Sequence, residues 1–422
     1  MFSRKQWLQA MYMAIVVFCL YSSLFCFRKA FNVAAFEGHT LFGISYKVVL
    51  VITQVLGYMA SKFYGIGFIA SLRRYNRGQL IFLLAGIALA SWLLFALVPA
   101  PWGFWCLLFS GFPLALLWGI VFSYVEGRRM TDLISAALAV SFIFGAGLAK
   151  SVGKAVMSAG VSEQWMPFLT AAIFVLPIII CTRLADRFPA PDADDIAHRT
   201  ERKPMSKSDR WQLMKQYGGG LILLIGVYIL VTILREVRDS FMADMWRESG
   251  ESFSASVFAQ TETIITLALL LVIAAMVLVK DNWKAFSLTH LLLCVGFACC
   301  LLATLLYRQQ NISTWWWMLL IGLGLYLVYI PFNSILFDRF IASFAIVGNV
   351  GFLIYLADSF GYLGSVTVML VRNFSGSQIQ WLEFFRSLLM VVGVVGLLLS
   401  AGSWWYFARK IRRFNSLSKK AA

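Results

Sequence analysis

Charge is scarce in this chain. Asp, Glu, Lys and Arg make up 13% of its 422 residues, against about 25% in soluble domains. That excludes a single water-soluble globule, and the 60% hydrophobic content and mean hydropathy of +0.79 exclude it again. Histidine is scarcer still: three scattered residues supply neither a metal cluster nor an obvious catalytic base, and no nucleophile motif accompanies them. The sequence therefore predicts no enzyme, no metal and no cofactor. The seven cysteines fall in or beside apolar runs, without the loop context of a disulfide framework, and read as small apolar packing residues.

What is abundant is apolar sequence in long runs. A bilayer core of about 30 Å takes roughly 20 residues of helix, and twelve runs of that kind can be read, from 7–30 to 384–407. The second covers 41–64, the seventh 221–242 and the eleventh 341–371. The predicted class is an all-α membrane protein with about twelve transmembrane helices. The first run is too long for a removable signal peptide and lacks a small-residue cleavage site.

Basic residues exceed acidic ones by 36 to 20, giving +16. With twelve crossings and the N-terminus inside, 24 of the 36 fall in cytoplasmic segments and three (Arg247, Arg308, Arg372) in outer loops. This asymmetry is the positive-inside pattern, which predicts cytoplasmic termini in a multi-pass inner-membrane protein. Basicity of this kind predicts no nucleic-acid partner. The bilayer is the large partner, and a monomer is expected.

Residues 183–211 combine three prolines with dense mixed charge near the middle of the chain. The expected organisation is a six-helix bundle over 1–182, a cytoplasmic linker over 183–215, a second bundle over 216–408 and a basic tail over 409–422. A faint repeat supports duplication: at an offset of 211 residues Ser123 faces Ser334 and Arg128 faces Arg339.

Nine basic and about five acidic residues remain inside the spans. Charge in hydrocarbon is costly, so each is a candidate functional group. Span two places Lys47, Gln54, Tyr58 and Lys62 within about 80° of one face. Span seven repeats the pattern with Tyr228, Thr232, Arg235 and Asp239, bordered by Glu236 and Arg238; span one has Tyr21, Arg28 and Asn32. Such stripes predict an aqueous pathway, and the cation excess predicts an anionic solute, because guanidinium groups bind phosphate or carboxylate oxygens bidentately. The competing reading of Lys47, Lys62 and Arg28 is snorkelling towards the surface. Glu262 and Asp358, the most isolated acids, are candidates for pairing with Arg235 or Arg238 or for carrying a coupling proton. His290 reads as an interfacial residue.

The segments FCFRKAFNVAA (from Phe25) and GISYKVVLVITQVLGYMASKF (from Gly43) resemble the organophosphate:phosphate antiporter branch of the major facilitator superfamily, as does TILREVRDSF (from Thr232). The resemblance places Arg28, Lys29 and Lys62 on the family's first-helix and second-helix basic positions and Arg235 on its second substrate arginine. It implies two pseudo-symmetric six-helix domains, a central site and rocker-switch alternating access. The loop SLRRYNRGQ departs from the superfamily pattern by lacking its Asp.

The expected protein is thus a secondary transporter of an organophosphate, sugar phosphate or sugar acid. Its expected substrate-binding residues are Arg28, Lys29, Asn32, Lys47, Tyr58, Lys62, Tyr228, Arg235 and Arg238, with Arg28 and Arg235 clamping the anion. Glu236, Asp239, Glu262 and Asp358 are the expected coupling or ion-pair groups. Phosphate exchange and proton symport are both open as coupling modes. A receptor that binds an anion without moving it is the reading from another class.

Overall fold

The computed structural model describes every residue except 1–3, 42, 71–75, 126–130, 190–206, 345, 347–349, 375–378 and 422. The central part of the expected linker, the loop basic residues Arg73 and Arg74, and Arg128 of the repeat lie outside the described residues.

Thirteen α-helices are present among the described residues, twelve of them long. They are α1 (Arg4–Lys29), α2 (Tyr46–Ala70), α3 (Arg77–Leu97), α4 (Phe104–Ser123), α5 (Thr131–Ser158), α6 (Met166–Asp186), α7 (Lys207–Glu248), α8 (Val257–Val277), α9 (Asn282–Arg308), α10 (Thr314–Ser334), the short α11 (Leu336–Ser343), α12 (Val350–Phe374) and α13 (Trp381–Ala421). Ten are long and apolar enough to cross a membrane, and α2 and α12, of 25 residues each, have the length as well. At 1.5 Å per residue, 25 residues extend about 37 Å, so α2 and α12 match the span of a bilayer core in length. The chain is a multi-pass membrane protein.

Three apolar runs differ from their helices. The second starts later than expected: Thr40–Leu41 pairs with Ile44–Ser45 in a two-stranded hairpin, and α2 begins at Tyr46. Gly43, with φ of +74°, makes that reversal possible. The seventh helix is 42 residues long, not the 22 of its apolar core; past that core its Asp244 pairs with Lys47 and Arg247. The eleventh run starts too early in the sequence reading. Its first residues belong to α11, whose Phe340 packs edge-on to Tyr217 and tilted against Phe286, and α12 begins at Val350. Residues 409–421, expected as a tail, continue α13 as helix.

By packing, the chain divides into two compact units. One comprises Met1–Arg199, Val237–Leu270 and Val366–Leu382; the other comprises Thr200–Glu236, Leu271–Ser365 and Glu383–Ala422. In the first, α1 packs on α5 and α6, and α2 on α4. Gly147 of α5 lies so close to α8 that an added Cβ would stand 2.5 Å from the Phe258 carbonyl oxygen and 2.7 Å from Glu262 Cβ. In the second, α9 and α10 meet through Gly296 and Gly324. A Cβ on either would lie 2.5–2.6 Å from the other's carbonyl oxygen, the small-residue contact by which membrane helices approach closely.

Candidate functional site

The first unit gathers most of the charged candidates around the end of α1. Arg28 and Lys29 occupy its last turn, where cations favour the negative end of the helix dipole. A 3₁₀ turn, Ala30–Val33, follows, and the Glu163 carboxylate accepts the N–H groups of Ala35 (2.9 Å) and Phe36 (2.6 Å) just beyond it. Trp92 Nε1 donates to the Phe27 carbonyl at 2.6 Å. This backbone is held from several sides, so the two basic side chains project from a fixed base.

They project to different environments. The Lys29 ammonium lies 2.8 Å from Asp239 Oδ2, and Lys150 donates to Asp239 Oδ1; all three side chains are buried. Asn32 Nδ2 reaches the Asp239 carbonyl at 3.5 Å. Lys47 donates to the Asn32 carbonyl at 2.8 Å and to Asp244 at 2.5 Å, while Arg247 holds Asp244 from the other side at 2.8 Å. Arg238 Nη1 donates to Glu262 Oε1 at 2.7 Å. Lys47 is 2% exposed, so it does not snorkel; its pairing with Asp244 keeps it inside.

Arg28 instead lies against aromatic rings. Its guanidinium carbon is 3.9 Å from the Tyr58 centroid and 5.7 Å from that of Phe25, within cation–π range. At 3% exposure it does not snorkel either. Lys62 Nζ is 5.5 Å from the same Tyr58 ring. Arg28, Tyr58, Tyr21 and Phe25 line a small cavity together with Leu24, Leu114 and Leu117.

The second unit holds a smaller cluster. Tyr228 donates its hydroxyl to the Asp358 carboxylate, and Asn333 Nδ2 lies 3.4 Å from the same hydroxyl. Arg235 pairs with Glu236 at 3.1 Å and sits 4.5 Å from the Tyr329 centroid and 6.0 Å from that of Tyr362. Its Nε is buried with no hydrogen-bond partner among the described residues.

The structure therefore divides the span-seven stripe: Tyr228 and Arg235 join Tyr329 in one unit, and Asp239 joins Lys29 and Lys150 in the other. Glu262 pairs with Arg238, one of the expected alternatives, and Asp358 accepts from the Tyr228 hydroxyl. His290, near the start of α9, is buried in the protein: Nδ1 lies 2.9 Å from the Phe286 carbonyl and Nε2 lies 3.2 Å from Ser403 Oγ. Five of the cations in the spans are paired: Lys29, Lys47, Lys150, Arg235 and Arg238 all have carboxylate partners.

Sequence reasoning missed Asp244, because it lies past the apolar core of span seven. It also left Tyr329 and Tyr362 outside the site, since a tyrosine in a span carries no signal until an arginine is seen against it. Lys150, one of the nine basic residues in the spans, carries no signal in the sequence of its place beside Asp239.

The arrangement of helices matches solved structures along nearly the whole chain. A bacterial homologue of the human lysosomal transporter Spinster, in an inward-facing and unoccupied conformation, aligns with a TM-score of 0.60 at 13% identity, covering 96% of this chain and 97% of that one. A D-xylose-proton symporter aligns with a TM-score of 0.60 at 14% identity, covering 94% and 96%. A bacterial homologue of the human drug peptide transporters PepT1 and PepT2 gives 0.61 at 13%, covering 95% and 99%. At such identities the likeness establishes the fold, which is that of the major facilitator superfamily. No curated protein matches the chain. The sequence profile described as "Family of unknown function (DUF5690)" matches residues 30–410, and the chain belongs to that family.

Proposed function

We propose that the chain is a secondary transporter that moves a small anionic solute across the inner membrane by alternating access, as a monomer with both termini in the cytoplasm. The observation that carries this reading is Arg28, a guanidinium 3% exposed at the wall of a cavity within a twelve-helix membrane fold. A permanent charge in hydrocarbon is costly and marks a solute pathway by default, and a guanidinium fork matches carboxylate or phosphate oxygens. Arg28 is the primary anion contact, with Tyr58 beneath it and Lys62 on the same ring. Arg235, with a buried donor to spare, is a second anion contact in its own unit. The resemblance of the first two helices to organophosphate:phosphate antiporters supports an anion, and the expected halves, 1–182 and 216–408 joined by 183–215, belong to the same proposal.

The test is uptake of labelled anions by vesicles reconstituted with the purified protein. Arg28→Lys replaces a fork with a point charge and is expected to lower uptake at least about tenfold with little change in melting temperature. Undiminished uptake would remove Arg28 from the site. Binding without accumulation would turn the reading to a receptor.

One observation favours proton coupling over exchange. Glu262 Oε2 is buried with no hydrogen-bond partner among the described residues, while Oε1 accepts from Arg238. An unsatisfied carboxylate oxygen is a place to hold a proton. Uptake that ignores an imposed pH gradient while responding to phosphate loaded on the opposite side would exclude this mode.

A further inference from the structure

We infer that Trp405, Arg409 and Arg412, near the end of α13, form a site for the headgroup of an anionic phospholipid in the leaflet where this helix leaves the membrane. The inference goes beyond the transport reading and does not depend on which solute the chain moves.

One face of α13 carries the case. Val391, Val394 and Leu398 are 64%, 49% and 67% exposed, Trp405 is 53% exposed, and Arg409 and Arg412 are exposed as well. Steps of three, four and seven residues keep all six on one side of an α-helix. Ser403, Phe407 and Ile411, on the other side, are buried in the protein. The outward stripe is therefore apolar, then aromatic, then cationic. Exposed Glu383 marks the other end of the helix, and Trp405 stands about 33 Å further along. A hydrocarbon core of about 30 Å puts that indole at the interface, where tryptophan is favoured. Arg409 and Arg412 follow about 6 and 10 Å beyond it, at the level of lipid phosphates.

The arginines are presented for phosphate. The Arg409 guanidinium carbon lies 3.6 Å from the Trp405 ring centroid. Stacking engages the face of the guanidinium and leaves its in-plane N–H fork to meet phosphate oxygens. Arg412, three residues on, is its neighbour on the helix surface and supplies a second fork.

Charge selects the lipid class. At the far end of α13, Glu383 pairs with Arg386 at 3.0 Å and Arg308 at 3.4 Å. After Glu383 the helix contains no acid. α7 runs beside this end: the Tyr406 hydroxyl donates to the Gln216 carbonyl at 3.4 Å, and a Cβ on Gly220 would stand 2.5 Å from Phe407. That part of α7 adds the exposed Lys215, with no acid from Trp211 to Arg235. A zwitterionic headgroup would bring its own ammonium against these cations, whereas an anionic one brings only its phosphate charge.

The experiment titrates the full-length protein with phosphatidylglycerol or phosphatidylcholine and counts bound lipid by native mass spectrometry. Phosphatidylglycerol is expected to bind at least about tenfold more tightly, at roughly fivefold per arginine. Arg409→Gln and Arg412→Gln together should abolish the preference, and Arg308→Gln, at the opposite end, should leave it intact. If the double variant does not fold, Arg409→Lys with Arg412→Lys keeps the charge, loses both forks and is expected to weaken phosphatidylglycerol binding about fivefold. Equal affinity for the two lipids, or a preference untouched by the α13 variants, would overturn the inference. Displacement of the lipid by soluble glycerol 3-phosphate would overturn it too, by marking a site for free phosphate esters.

Discussion

The ammonium of Lys29 lies 2.8 Å from Asp239 Oδ2, deep in the first compact unit, and Lys150 donates to the other oxygen of the same carboxylate. One carboxylate thus bridges two buried ammoniums. Asp239→Asn keeps the shape and removes the charge, leaving two ammoniums facing an amide. Breaking a buried pair from one side costs about 3–5 kcal/mol, so the variant is expected to melt several degrees lower in detergent or to fail to accumulate. A melting temperature equal to that of the parent protein would show that the lysines find other partners.

Lys47→Met should be milder. Asp244 keeps Arg247 at 2.8 Å and is 15% exposed, so the carboxylate stays paired and partly hydrated. The Asn32 carbonyl loses its ammonium donor, a loss of about 1.5–3 kcal/mol for a charged hydrogen bond. Thermal melts of the two variants side by side check the order: Asp239→Asn is expected to be the more damaging.

Gly296→Ala and Gly324→Ala should each separate α9 from α10. The added Cβ would stand within 2.5–2.6 Å of the facing carbonyl oxygen, and overpacking of this kind typically costs about 1–3 kcal/mol. Gly218→Ala, where the nearest atom to the new Cβ is a methionine methyl at 3.9 Å, is the control and should leave the melting temperature unchanged.

Glu262→Gln tests the proton. If Glu262 carries it, the variant should lose accumulation driven by a pH gradient while still exchanging solute across the membrane. Equal loss of both activities would instead mark Glu262 as the structural partner of Arg238, from which it lies 2.7 Å away. Arg238→Lys is then the informative companion, since it retains the charge and discards the fork.

Much of this protein is legible in its sequence because hydropathy is a local property. A run of about 20 apolar residues declares a span without reference to any other segment, and twelve such runs correspond to twelve long helices. Arg28 was legible too, through its place in a one-sided polar stripe. The failures fall where a residue's role depends on a distant partner. Asp244 looked like a loop acid because nothing near it in sequence announces Lys47. Leu41 counted towards a span although its backbone pairs with Ile44 in a hairpin. Phe344 was read into the eleventh span, yet it packs with Tyr217 and Phe407 as part of an aromatic cluster.

The sequence by itself determined that this is a membrane protein of about twelve helices and which few polar residues its spans must accommodate. Only the tertiary structure decided which of those residues neutralise one another and which line a cavity. The reason is the range of the forces. Transfer of a side chain into hydrocarbon depends on that side chain alone, whereas an ion pair depends on two groups meeting. Here those groups stand 89 residues apart for Lys150 and Asp239 and 197 apart for Lys47 and Asp244. Until the helices pack, nine intramembrane cations look alike. Once packed, Lys29, Lys47 and Lys150 hold carboxylates, and Arg28 lies against the Tyr58 ring at the wall of a small cavity.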